Sequence, residues 1–239
     1  MNPPLSSIIK FYEKLVSHEN DRFRSFEHCY QFFKKYKNNN HDIELAMLHL
    51  GFYLASWGMY RGSSFLLQKD YRIYYEIIQI LFKKEFDELW CIEKNLNSEN
   101  KEKYGKLTLN LHELLQDYLE KERNKYLKYM GKNKTTQEIS SVLTTKIMMG
   151  TLGCIPAYDR YFRDGIKIYN ENNKSDLIQL FSINSIMKIY DFLINNKIEL
   201  IKLQDKIHLK TKMEYPLMKL IDSYFWLIGF EVENTVVKK

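Results

Sequence analysis

Helix breakers are scarce in this chain: 239 residues hold nine glycines and four prolines. A protein of many short strands needs turns at close intervals, and turns draw heavily on those two residue types. A chain this poor in them favours long helices. Apolar residues make up 45% of the sequence, enough for a real core. The expected fold is all-α, a single helical domain over residues 1–239. It is expected to form two lobes around a cleft, 42–134 and 135–174, with the terminal helices packing together.

The helical period is legible along most of the chain. Leu5, Ile8, Phe11, Tyr12, Leu15 and Val16 predict a first helix from Pro4 to His18. Phe23, Phe26, Tyr30, Phe33 and Tyr36 predict a second. Asp42 to Tyr60 is apolar on nearly all sides, which predicts a buried core helix. Tyr71 to Phe86 repeats the helical pattern, Asn95 to Tyr104 reads as a polar loop, and Leu107 to Leu119 carries a clean amphipathic stripe. Thr135 and Glu138 have capping-box spacing ahead of the helix that carries Lys146. Ser175 is expected to cap a long amphipathic helix. Lys197 to Lys212 reads as a further helix or a partly ordered connection, and Pro216 opens the last helix.

Several function classes are set aside by composition. The first residues, Met1-Asn2-Pro3-Pro4-Leu5, have no basic start followed by an apolar run, so no signal peptide is expected. No uncharged apolar stretch reaches the ~18 residues of a membrane span. Cys29, Cys91 and Cys154 are far apart and lack metal-ligand spacing. The expectation is a cytoplasmic monomer with no membrane association, no metal and no cofactor. A formal net charge of +6 leans towards anionic partners.

Chemistry concentrates in Thr144 to Phe162. Gly150 and Gly153 supply backbone freedom where one helix should stop, and Pro156 suits the first turn of the next. Asp159 then falls near the positive end of that helix dipole, with Lys146 on the preceding helix. The bland reading pairs Asp159 with Arg163 one turn on and leaves Lys146 solvated. A second suggestive stretch, Ser56 to Phe65, strings together Gly58, Arg61, Gly62, Ser63 and Ser64. Such a turn can offer backbone N–H groups, hydroxyls and a guanidinium to a phosphate. Its bland reading is a packing turn in which Ser63 caps the next helix.

The order lysine, short turn, Ile155-Pro156 and then Asp159 resembles the helix-hairpin-helix DNA glycosylase superfamily over about Thr135 to Phe162. Ser140 to Thr145 stands where that superfamily carries its Leu-Pro-Gly-Val-Gly type hairpin. The Trp57-to-Ser64 stretch also resembles bacterial proteins of no assigned function. The resemblance implies a two-lobed all-α fold and release of a damaged or modified base from double-stranded DNA. Defence against phage with modified DNA is one setting it implies. It assigns the catalytic roles to Asp159 and Lys146. Arg61, Ser63, Ser64, Thr145, Arg160 and Arg163 become candidate DNA contacts. Trp57, Tyr60, Gln68, Tyr158 and Tyr161 become candidates for the pocket of a flipped base. Two other readings stand beside it: a nucleic-acid-binding helical protein without catalysis, and a helical protein-interaction module.

Overall fold

A computed structural model describes residues 4–37, 42–62, 64–90, 92–133 and 139–236, with side chains through Glu231. Among the described residues the chain is helical throughout and has no strand. Its helices are α1 (Ile8–Ser17), α2 (Ser25–Tyr36), α3 (Ile43–Ser56), α4 (Tyr74–Leu81), α5 (Lys101–Tyr129), α6 (Ser141–Thr151), α7 (Arg160–Asn173), α8 (Ile183–Thr211) and α9 (Leu217–Val236). None is long and apolar enough to cross a membrane. Their buried side chains join in one continuous hydrophobic core.

Helix ends follow local chemistry. The Asp42 carboxylate accepts the Leu45 N–H and starts α3. Gly58, at φ +76°, ends it: its N–H reaches Ala55 O, and that of Met59 reaches Leu54 O, the two bonds of a Schellman stop. The Ser64 hydroxyl accepts the Leu66 N–H and caps the short 3₁₀ turn that follows. Ser63 lies outside the described residues, as do Thr135 and Glu138. The cap seen on α6 is Ser140, which accepts the Val142 N–H.

Four sequence expectations need revision. Lys101 to Tyr104, read as part of a polar loop, is the first turn of α5, with Tyr104 buried. The long C-terminal helix is capped by Ser182, not Ser175, through a reciprocal capping box with Ser185. Ser175 belongs to the end of α7, where Lys174 adopts φ +51° and the Ser175 N–H returns to Asn170 O. Lys197 to Lys212 is no separate element, since α8 runs unbroken to Thr211. The helix α3 is a core helix on one side only: Leu45, Leu48 and Phe52, three to four residues apart, are exposed.

Two contacts set the frame around the site. The 29-residue helices α5 and α8 pack together, with a buried Thr108 Oγ1 to Tyr190 hydroxyl hydrogen bond of 2.6 Å. The pair α7 and α9 packs backbone to backbone. A Cβ at Gly165 would overlap the Phe225 carbonyl, and one at Gly229 would overlap that of Tyr161. Glycine here serves close approach, which brings the first turns of α7 against the middle of α9.

Candidate functional site

Every residue from Leu143 to Tyr158 is buried; Asp159 is the first to reach the surface. The stretch folds as α6, a turn, and α7. Gly153 ends α6 at φ +66°, its N–H bonded to Met148 O. Gly150 serves differently from the expectation: it lies inside α6 and makes room for the Tyr53 ring. Pro156 stays in the turn, and Asp159 is the N-cap of α7, its Oδ1 accepting the Phe162 N–H at 3.1 Å. The other oxygen, Oδ2, accepts from Lys146 Nζ at 2.9 Å. Asp159 therefore pairs across the turn and not with Arg163.

The ion pair is asymmetric. The side chain of Lys146 is 3% exposed and that of Asp159 17%. Lys146 is thus no solvated helix residue, and its ammonium is covered on one side by the Trp57 ring, 4.8 Å from the centroid.

A second pair, found only in the fold, backs the first. Lys219 Nζ, on the first turn of α9, lies 2.7 Å from Asp222 Oδ2, with both side chains buried. Its ammonium sits 4.9 Å from the Trp57 ring centroid and 5.0 Å from that of Phe26. Asp222 Oδ1 accepts the Ala157 N–H at 3.0 Å. On the opposite side, Thr145 Oγ1 accepts the Tyr158 N–H at 3.1 Å. The segment that presents Asp159 is thereby pinned from α6 and α9 at once. Burial, followed by the nearby Asp222, Cys29 and Asp159, pushes the Tyr53 hydroxyl well above its ordinary value, so it remains a neutral phenol beside the cluster.

The sequence-derived residues do not all converge here. Lys146, Asp159 and Trp57 meet. Arg61, Ser64 and Gln68 instead line a separate groove of about 890 Å³, with Arg123 and Lys132 among its other walls. Arg160 is exposed, its guanidinium over the Tyr161 ring, and Arg163 is half-buried. Tyr60 hydrogen-bonds Tyr74, while Tyr161 packs on Trp226 and Phe230.

Two assignments are corrected. Thr145 is fully buried, so it is a strut for the turn and not a DNA contact. Tyr158 is a core residue between Phe162 and Phe181, not a wall of a base pocket. Cys154 is sealed inside, where burial pushes its thiol up to about 12, which leaves it inert as a nucleophile. Among the described residues no cluster of three or more His, Cys, Asp or Glu is arranged to hold a metal ion.

Lys219 and Asp222 escaped sequence reading because they lie about sixty residues downstream in a helix that reads as ordinary core. Their i, i+3 spacing was the available signal, but such pairs are common on solvated helices. Family models, curated proteins and solved structures give no match to this chain.

Proposed function

We infer that the chain releases a modified base from DNA by hydrolysis of the N-glycosidic bond, with Asp159 as the working carboxylate. The observation that carries this reading is the asymmetry of the Lys146–Asp159 pair: a buried ammonium 2.9 Å behind a carboxylate that alone in the four-residue charge cluster meets solvent appreciably. As the C1′–N bond breaks, its electron pair leaves on the base and positive charge develops on the sugar. A fixed carboxylate at that point stabilises the charge and orients the water that adds to C1′. The water's proton ends on the departing base or in solvent. The separate groove that holds Arg61, Arg123 and Lys132 suits a phosphate backbone.

Burial of Lys146 shapes the reading further. An amine 3% exposed and held between a carboxylate and an indole is not presented to a sugar. Base release is therefore expected without strand cleavage, and borohydride should trap no covalent DNA adduct. The same burial favours one second reading, nucleic-acid binding without catalysis.

The test incubates the full chain with duplexes that each carry one modified base, then counts abasic sites by alkaline cleavage. Release by the natural chain, and a loss of 100-fold or more in Asp159→Asn with DNA binding retained, supports the first reading. Salt-sensitive binding with no abasic product from any duplex supports the second. Undiminished turnover by Asp159→Asn overturns the role given to that residue.

A further inference from the structure

We propose that a second groove, between α1 and α9, binds a nucleoside phosphate, with the base among aromatic rings and the phosphate on Lys10 and Lys14. The groove has a volume of about 800 Å³, within the ~300–1,000 Å³ span of small-molecule sites. It is distinct from the Arg61 groove and shares no lining residue with it.

The walls are aromatic. Trp226 and Phe230 of α9 stack at 4.7 Å and 15°. Phe11 of α1 and Phe23 face them, with Phe23 at 5.6 Å and Phe11 at 6.4 Å from the Trp226 centroid. Phe11, Phe23 and Phe230 are only partly buried, so ring surface remains open to the groove. Planar heterocycles stack on such surfaces whatever their hydrogen-bonding edge.

The rim carries the charge. Lys10 and Lys14 are one helical turn apart on the face of α1 that lines the groove, and both are exposed. Neither makes an ion pair among the described residues, in contrast to Lys210, which pairs with Glu13 on the same helix. The two acidic residues of the lining are engaged already: Asp21 accepts the Phe23 N–H, and Glu231 has a partner within the protein. Two ammoniums with no ion pair among the described residues, beside four rings, match an anion attached to a flat heterocycle, which is what a nucleoside phosphate is.

The groove also communicates with the candidate site. Phe23 lies 5.2 Å from Trp57, the ring that covers Lys146, and Trp226 lies 5.3 Å from Tyr161, in the first turn of the helix that Asp159 caps. The proposal does not depend on the base-release chemistry above. The ligand chemistry has two sources, a free nucleotide or a nucleotide residue within a strand.

The test measures binding of a labelled single-stranded 12-mer and of adenosine 5′-monophosphate to the full chain, at two salt concentrations. It compares the natural protein with Lys10→Ala/Lys14→Ala, with Phe230→Ala and with Asp159→Asn, each checked for retained helicity. The expected result is binding that the double lysine variant weakens about tenfold or more, with a shallower salt dependence. Phe230→Ala should weaken it about tenfold at either salt concentration, and Asp159→Asn should leave it unchanged. Competition by the mononucleotide identifies a free nucleotide as the ligand; binding of the 12-mer without such competition identifies a strand. Binding that stays within twofold in the lysine variant overturns the proposal, as does a lack of binding by both probes. Base release that Asp159→Asn abolishes while the lysine variant retains both release and binding leaves the functional reading standing and removes this one.

Discussion

Lys146 and Lys219 sit inside the protein, each within 3 Å of a carboxylate and 5 Å of the same indole ring. Lys10 and Lys14 stand on the surface of α1 with no ion pair among the described residues. The inner lysines trade hydration for fixed geometry, which is stable only while each keeps its partner. The outer lysines keep their hydration and their freedom, and so remain available to an anion that comes and goes. One face of the molecule is built to hold a carboxylate still, the other to receive a charged ligand.

The strongest way to break this contrast is to move the frame that holds the inner charges. Gly165→Ala forces a methyl group into the Phe225 carbonyl and must push α7 off α9. We expect a loss of more than about 4 kcal/mol in urea unfolding. A loss under about 1 kcal/mol would show that the close approach is dispensable. Next comes Asp222→Asn, which leaves the buried Lys219 ammonium without its counter-charge. About 3–4 kcal/mol is expected, since that ammonium cannot reach water. Near-neutral unfolding energies would mean that the inner pairs are not what fixes the turn.

Acid sharpens the contrast in the wall behind Lys146. His112 is buried against Thr144 of α6, with its Nδ1 at 2.7 Å from the hydroxyl. Burial lowers its pKa from the ordinary 6.5 to about 4, against a smaller opposing effect of Gln116. The unfolded chain therefore takes up this proton first as pH falls. The stability His112 supports is complete above about pH 6.5 and is lost as pH drops towards 4, by about 2–3 kcal/mol. His112→Gln, measured by thermal unfolding across that window, should flatten this part of the pH dependence; an unchanged slope would place the titration elsewhere.

Helix positions were legible in the sequence because apolar spacing and helix-breaking residues are local signals: the stripe from Leu107 to Leu119, the opening of α9 at Pro216 and the turn at Gly153 and Pro156 between Lys146 and Asp159 emerged from them. Relations across space were not. The Lys146–Asp159 pair spans thirteen residues and a turn, and only the way Gly153 bends the chain brings the two together. The resemblance offered Thr145 as a DNA contact, yet its Oγ1 is needed inside for the Tyr158 N–H. Ser175 and Ser182 are equivalent capping residues on paper; the choice is made by Lys174, whose left-handed conformation commits Ser175 to the preceding helix. The aromatic groove joins residues some two hundred positions apart, and no periodicity reports such a meeting.

The most direct test of the central claim compares single-turnover base release by Asp159→Asn and by the natural chain, well below the unfolding temperature and normalised to folded protein. The substitution should cost about 2 kcal/mol of stability, less than Asp222→Asn, because water can reach the place the carboxylate leaves. Release should fall by at least 100-fold while DNA affinity stays within about threefold. Equal release rates in the two proteins would contradict that claim.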